Sequence, residues 1–133
     1  MTKYVLDTDH IIEVLKGKSD VVNRLQSVVL NGDDVSISGI AYWETKRGFL
    51  ELNATARLAA FDAFCRLYGL ILLGSRGIFD RAAQIDAEQR ARGTQIPDAD
   101  VLTASVAVEG NLVLVTSDGH FGDVPELKTE SWM

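Results

Sequence analysis

Residues 112–118 read Leu-Val-Leu-Val-Thr-Ser-Asp and form the clearest strand signal in the sequence. Four apolar residues in succession are typical of a strand that is buried on both faces of a parallel sheet. Residues 3–6, Lys-Tyr-Val-Leu, form a similar short run, which also ends at an acidic residue, Asp7. Three further patterns predict strands: the alternating residues 35–38, the apolar residues 70–73, which we expect to be buried, and residues 127–132.

Helical patterns separate these strands. Apolar residues recur at helical spacing, and turn residues mark where the segments end. The predicted helices span residues 11–16, 20–30, 39–50, 53–68, 77–91 and 97–109. We expect Thr8 or Asp9 to cap the first helix, Ser19 or Asp20 the second, and Ser75 the fifth. Strands that alternate with helices predict one α/β domain over residues 1–133, a three-layer α/β/α sandwich with a mainly parallel sheet.

The composition suits a globular domain without disulfides. The chain has 133 residues, of which 47% are hydrophobic, and its single cysteine, Cys65, is expected to be a buried structural thiol. No stretch approaches the roughly 20 apolar residues that span a bilayer. Asp7 interrupts the N-terminal apolar run too early for a signal peptide. We therefore expect a soluble, cytoplasmic protein with no membrane association.

The net charge of −6 argues against passive binding of nucleic acid through a basic surface. It does not argue against a nuclease, because cations held by carboxylates reverse the local charge. It also suits association with a basic partner.

Four acidic residues are placed where they can converge. Asp7 directly follows the first strand, and Asp118 lies two residues after the strand that ends at Thr116. Ligands of open α/β sheets bind beyond the carboxyl ends of the strands. Glu44, in the helix after the second strand, and Asp100, in the first turn of the helix before the last clear strand, can reach the same edge.

Such a cluster indicates metal-assisted chemistry. Clustered carboxylates repel one another, and a bound cation relieves that repulsion. Mg²⁺ and Mn²⁺ prefer oxygen ligands, and two such ions can activate a water and stabilise the leaving oxygen in phosphodiester cleavage. The hydroxyls of Thr8, Thr116 and Ser117 are available to orient waters or ligands.

Each acidic residue also has a structural interpretation. Asp7 can cap a helix, Asp100 can be a first-turn acid favoured by the helix dipole, and Asp118 can be a turn residue. Glu44 can pair with a basic neighbour, either Lys46 or Arg47.

Other polar residues near these motifs are secondary candidates. His10 and His120 can donate to a phosphate or fill capping and surface roles, and Asp9 and Asp98 can assist the acidic cluster. Five arginines are candidate phosphate contacts or members of solvated helix faces: Arg47, Arg76, Arg81, Arg90 and Arg92.

Four segments, in order, resemble the motifs of the PIN-domain ribonucleases, and specifically of the VapC-type toxins of bacterial toxin–antitoxin pairs. They are residues 4–9 (YVLDTD), residues 38–44 (SGIAYWE) followed by Arg47-Gly48, residues 96–104 (IPDADVLTA), and residues 114–118 (LVTSD) with Phe121. The resemblance covers nearly the whole chain. It implies a PIN-like fold with an acidic catalytic site formed by Asp7, Glu44, Asp100 and Asp118, of which Asp7, Asp100 and Asp118 bind Mg²⁺ or Mn²⁺.

The resemblance also implies an activity and partners. The activity is that of a metal-dependent endoribonuclease, a toxin that inhibits growth by cutting RNA needed for translation. The partners are the RNA substrate, a cognate antitoxin that blocks the site, and a second copy in a homodimer.

The sequence departs from the family pattern in three places. Asp9 stands where an uncharged polar residue is commoner, and Thr103 and Ser105 interrupt a usually more apolar helix. Asp98 offers a second acid in the third motif, although the register against Leu102 favours Asp100.

Two other functions fit parts of the sequence. Asp7-Thr8-Asp9 after a strand also resembles the opening of haloacid-dehalogenase-like phosphohydrolases, in which Asp7 would be a nucleophile and Asp9 an acid/base. That family requires a lysine near a later strand end, and this chain has none between Lys46 and Lys128. The other alternative is a non-catalytic interaction module on a nuclease fold.

Overall fold

A computed structural model describes all 133 residues of the chain. Five strands alternate with six α-helices and one 3₁₀ turn, as the sequence pattern predicts. The elements, in chain order, are β1 (Lys3–Leu6), α1 (Thr8–Leu15), α2 (Ser19–Leu30), β2 (Asp34–Ser38), α3 (Gly39–Glu51), α4 (Thr55–Leu67), β3 (Gly69–Ile71), α5 (Arg76–Ala91), α6 (Asp98–Glu109), β4 (Val113–Val115), the 3₁₀ turn (Gly119–Asp123) and β5 (Lys128–Glu130).

The five strands form one sheet in the order β3-β2-β1-β4-β5, and every neighbouring pair is parallel. β1 is the central strand, and its last residue, Leu6, pairs with Ile37 of β2 and Val115 of β4. The chain therefore leaves β1 toward one edge through β2 and returns to its other side at β4. This reversal of strand order is the place where open parallel sheets bind ligands.

Helices cover both faces of the sheet, so the fold is the predicted three-layer sandwich. Side chains of β1 alternate between two cores because successive residues of a strand point to opposite faces. Tyr4 and Leu6 belong to the core under α1 to α4, and Val5 belongs to the core under α5 and α6. None of the helices has the length and apolar character needed to cross a membrane.

Two polar residues in α6 are accommodated by backbone acceptors. The hydroxyl of Thr103 donates to the carbonyl of Ala99 at 2.9 Å, and the hydroxyl of Ser105 donates to the carbonyl of Ile78 on α5. Both side chains are buried. A buried hydroxyl that finds an acceptor avoids most of its desolvation cost, so these departures from an apolar pattern do not interrupt the helix.

The predicted helix starts need correction. Asp7 itself is the N-cap of α1, which begins at Thr8 rather than at Ile11, so neither Thr8 nor Asp9 is the cap. Lys18 occupies the N-cap position of α2 without a capping side chain, in place of Ser19 or Asp20. The predicted cap of α5 is confirmed, because the Ser75 hydroxyl accepts from the Gly77 N–H at 3.1 Å.

Two predictions of burial are also wrong. The strand predicted at residues 70–73 is an edge strand, β3, which pairs only with β2. Leu70 is consequently 46% exposed and Leu72, beyond the strand, is 69% exposed. An apolar run shows that a strand is hydrophobic, but not whether a neighbour covers it. Cys65 is half-buried on α4 rather than buried, and desolvation raises the pKa of its thiol.

Candidate metal centre

Asp7 stands at the junction of β1 and α1. Its backbone N–H donates to the carbonyl of Val115, which ties the ends of the two central strands together. Its Oδ1 accepts from the N–H of Thr8 at 2.9 Å, and its Oδ2 accepts from the hydroxyl of Thr116 at 2.8 Å. Burial raises the pKa of Asp7 to about 6, with further contributions from the charges of Asp9 and Asp100, although both hydrogen bonds oppose the rise. Asp7 is therefore a carboxylate that is held in place by neutral donors.

Thr116 connects Asp7 to the next acidic residue. It is the buried residue directly after β4, and its hydroxyl donates to Asp7 while accepting from the N–H of Asp118 at 3.1 Å. One hydroxyl therefore fixes both the Asp7 carboxylate and the backbone of Asp118. The Thr116 hydroxyl, which the sequence predicts only to orient waters or ligands, thus has a defined bridging position.

Asp118 caps the 3₁₀ turn that follows β4. Its Oδ1 accepts from the N–H of His120 at 2.9 Å. The buried ring of Phe121 anchors the same turn in the core under α6. The turn brings the imidazole of His120 back toward the sheet, where Nδ1 lies 3.1 Å from Oδ2 of Asp100 and 3.4 Å from Oδ1 of Asp118. The hydrogen bond with Asp100 and the charge of Asp118 raise the pKa of His120.

Asp100 lies in the first turn of α6, where the helix dipole favours a negative charge. Its charge raises the pKa of Asp7 and also that of Glu44, although burial is the larger cause in each case. The negative charge of Asp100 therefore acts on both of these carboxylates.

Glu44 projects from α3 toward α1. Its Oε1 accepts from the hydroxyl of Thr8, the residue after Asp7, at 3.3 Å. The structure gives Glu44 no ion pair with Lys46 or Arg47: Lys46 donates to the Tyr42 hydroxyl, and the Arg47 guanidinium stacks 4.6 Å from the centre of the Trp43 ring. All four predicted acidic residues therefore lie at the carboxyl end of β1 and β4, and none pairs with a lysine or an arginine. Their catalytic and metal-binding roles remain predictions.

His10 and Asp9 have structural positions. The ring of His10 is fully buried; its Nε2 accepts from the backbone N–H of Trp132 at 3.0 Å, and its Nδ1 lies 2.8 Å from Oδ1 of Asp9. The geometry assigns a neutral imidazole with the proton on Nδ1, donating to Asp9. The other oxygen of Asp9 accepts from the N–H of Ser117 at 2.8 Å. This network fastens the C-terminal segment and the loop after β4 to α1, and it lowers the pKa of Asp9 against the opposing effect of burial.

The remaining candidates lie elsewhere. Asp98 begins α6 and borders a shallow cleft beside Ala83 of α5. Most of the arginines already have partners in the fold: Arg81 pairs with Glu109 and Glu126, Arg90 with Asp86, and Arg92 donates to the carbonyl of Asp123. Arg76 and the stacked Arg47 have no ion pair.

The donor set fits a divalent cation. One ligand atom from each of Asp100, Asp118 and His120 lies within 4.8 Å of the other two, with Asp7 joined to this group through Thr116. Carboxylate oxygens suit hard divalent ions, and a cation would offset the repulsion among these acids, none of which forms an ion pair with a lysine or an arginine. His120 is the member that the sequence did not distinguish from His10; its place in a turn capped by Asp118, a candidate ligand, is the signal that separates the two.

Comparison with known proteins assigns the family. A family model for the PIN domain matches residues 4–127, and the chain belongs to this family. The resemblance noted from the four motifs is therefore confirmed. A search of curated proteins gives no significant match.

Solved structures agree with this assignment. A chain of VapBC2 from Rickettsia felis, crystallised with a promoter DNA fragment, has 24% identity and a TM-score of 0.92, over 99% of this chain and 100% of that chain. A chain of DNA-bound VapBC from Salmonella typhimurium has 26% identity and a TM-score of 0.88, over 100% of both chains. A chain of VapBC-1 from nontypeable Haemophilus influenzae has 22% identity and a TM-score of 0.86, over 98% of both chains. The fold is thus shared along its full length with chains of these complexes.

Proposed function

We propose that this protein is a metal-dependent endoribonuclease, the toxin of a toxin–antitoxin pair. The observation that carries the proposal is the carboxylate cluster at the strand-order reversal, in which no acid forms an ion pair with a lysine or an arginine. Membership of the PIN family and the match to chains of VapBC complexes support it.

The four acidic residues have two roles in the proposed reaction, metal binding and proton transfer. Asp7, Asp100 and Asp118 would hold Mg²⁺ or Mn²⁺, which would activate a water and stabilise the leaving oxygen of the phosphodiester. Glu44 accepts a proton from the attacking water, because its raised pKa brings its proton affinity closer to that of a general base at neutral pH. Thr116 and Thr8 keep the carboxylates oriented through the hydrogen bonds described above.

Two alternatives receive less support. A haloacid-dehalogenase-like reaction needs Asp9 as an acid/base, but both oxygens of Asp9 are engaged, by His10 and by the Ser117 N–H. A non-catalytic interaction module gives no reason for four acids without a lysine or arginine partner at one sheet edge. The RNA cleavage assay below distinguishes it from an enzyme.

The test is cleavage of total cellular RNA by antitoxin-free protein, with Mg²⁺, with Mn²⁺ and with EDTA. We expect discrete fragments that require a metal ion and disappear in the Asp7→Asn and Asp100→Asn variants. Asp80→Asn is the matched control, because Asp80 is exposed and has no hydrogen bond or ion pair. Absence of cleavage by folded, antitoxin-free protein would refute the nuclease. Fragments that persist in EDTA would refute the metal dependence.

The toxin role requires a test in cells. Expression without an antitoxin is expected to slow growth and to cut RNA needed for translation, and Asp7→Asn should remove both effects. Unchanged growth and intact RNA after verified expression would contradict the role. Localisation of the expressed protein in the cytoplasm is part of the same proposal.

We further propose a homodimer and an antitoxin that places a basic segment beside Asp7. The negative site and the net charge of −6 favour such a segment. A monomer in sedimentation equilibrium would refute the dimer. An antitoxin complex in which no Lys or Arg approaches Asp7 would refute the blocking mode.

A further inference from the structure

His120 is the one nitrogen donor in the acidic cluster. Its backbone is fixed because its N–H donates to Asp118 and the next residue, Phe121, is buried. Its side chain extends from this turn toward Asp100 on another element. The imidazole therefore lies beside both Asp100 and Asp118, two candidate ligands that are 18 positions apart in the sequence.

The separations match those of ligands that share one metal ion. Nδ1 lies 3.1 Å from the Asp100 oxygen and 3.4 Å from the Asp118 oxygen, and all three ligand atoms lie within 4.8 Å of one another. Adjacent ligands of an octahedral ion with bonds of about 2.1 Å are roughly 3.0 Å apart. The two distances from Nδ1 are thus within half an ångström of those between adjacent ligands of one cation.

The chemistry of imidazole then bears on the choice of metal. Mg²⁺ strongly prefers oxygen ligands, whereas imidazole nitrogen suits divalent transition metals. We propose that Nδ1 of His120 is a direct ligand of the metal centre and that the centre consequently prefers divalent transition-metal ions to Mg²⁺. The inference deepens the proposed function, since it rests on a metal ion held by Asp100 and Asp118.

The alternative is that His120 stays outside the metal shell and only donates hydrogen bonds to the two carboxylates. The two arrangements differ in whether a nitrogen nucleus is bonded to the metal. Electron spin-echo spectroscopy of bound Mn²⁺ detects such a nitrogen directly, without reference to activity.

The sequence allows a nitrogen signal on Mn²⁺ to be assigned to one histidine. The chain has two histidines, and the other, His10, is fully buried with both ring nitrogens engaged. In untagged protein, an imidazole-nitrogen signal on Mn²⁺ can therefore come only from His120.

The experiment combines this spectroscopy with calorimetric titration of Mn²⁺ and Mg²⁺ into antitoxin-free protein. We expect an imidazole-nitrogen signal in the wild type and in Asp80→Asn, and its loss in His120→Gln. The same substitution should weaken Mn²⁺ binding about tenfold or more, and Mg²⁺ binding by less than about threefold.

The outcomes separate the two proposals. Mn²⁺ that binds without a nitrogen signal, or a His120→Gln variant that keeps the wild-type ratio of Mn²⁺ to Mg²⁺ affinity, would overturn the role of His120 and leave the nuclease intact. Failure of both ions to bind the wild type would overturn the metal centre as a whole. Retained folding of His120→Gln is checked by its unfolding midpoint, and the side chain is exposed enough to permit the change.

Discussion

Replacing Asp7 with asparagine should stabilise the metal-free protein while abolishing its activity. The pKa of Asp7 is about 6, against an ordinary value of 3.8, mainly because of burial. Each pKa unit corresponds to about 1.4 kcal/mol, so the ionised carboxylate costs the folded state about 3 kcal/mol at pH 7.5. Asparagine carries no charge and still caps α1 through its oxygen, and its Nδ2 can donate to the Thr116 hydroxyl.

The sign of the pH dependence follows from the raised pKa. Protonation of Asp7 stabilises the folded wild type as the pH falls through about 6, and this stabilisation is complete below the ordinary value of 3.8. The free energy of unfolding of Asp7→Asn should therefore exceed that of the wild type by about 3 kcal/mol at pH 7.5 but by only about 1 kcal/mol at pH 4.5.

Urea unfolding in EDTA at the two pH values measures this difference. With a slope of about 2 kcal/mol per molar urea, the midpoint at pH 7.5 should rise by about 1.5 M in Asp7→Asn, with the slope unchanged. Asp80→Asn, at an exposed position, controls for the loss of one charge, and all proteins are compared at one concentration. A variant that is less stable than the wild type at pH 7.5, or an advantage that does not shrink at low pH, would refute the reasoning.

Two further substitutions test the network around the site. Thr116→Val removes the donor to Asp7 and the acceptor for the Asp118 N–H. Urea unfolding should show that the free energy of unfolding falls by about 1–3 kcal/mol, and RNA cleavage should also fall. Thr116→Ser, which keeps the hydroxyl, should restore most of the stability and most of the cleavage. A Thr116→Val protein with wild-type cleavage would show that the bridge is not needed. His10→Leu leaves the Trp132 N–H unpaired in the interior and should cost about 2–4 kcal/mol in the same unfolding assay, whereas an unchanged midpoint would mean that the C-terminal segment is held by other contacts.

The architecture was predictable because the apolar runs mark the central strands. Residues 3–6 and 112–116 end at the same edge of the sheet, as parallel pairing requires. The exposure of β3 was not predictable, since an apolar segment has the same pattern whether or not a further strand covers its edge. In the sequence, capping and function are alternative interpretations of Asp7, but in the structure one carboxylate caps α1 and also lies in the acidic cluster.

The positions of Asp7 and Asp118 followed from the strand ends, whereas the convergence of Glu44 and Asp100, the presence of His120 and the internal geometry of the cluster did not. The distinction between His10 and His120 depends on which way each ring turns. His10 follows the core-facing side of α1, whereas His120 follows a turn whose direction is set by the Asp118 cap and the buried Phe121. The Asp118 cap is a local signal, but the partner that each ring reaches is distant in sequence: Trp132 for His10 and Asp100 for His120.

The hydrogen-bond donors around the acids explain how the site can be ordered in the absence of a cation and still bind one. Neutral donors position them: a hydroxyl and a backbone N–H for Asp7, and a hydroxyl for Glu44. An arginine in the same place would stabilise the fold more, but it would also satisfy the charge permanently and compete with any cation. With neutral donors the electrostatic cost remains in the folded protein, as the raised pKa values of Asp7 and Glu44 indicate. A positive group that binds at the site, whether a metal ion or a basic side chain of a partner, relieves this electrostatic cost, and the relief contributes to its binding free energy. The same electrostatic term therefore favours binding of both the proposed metal ion and the proposed antitoxin.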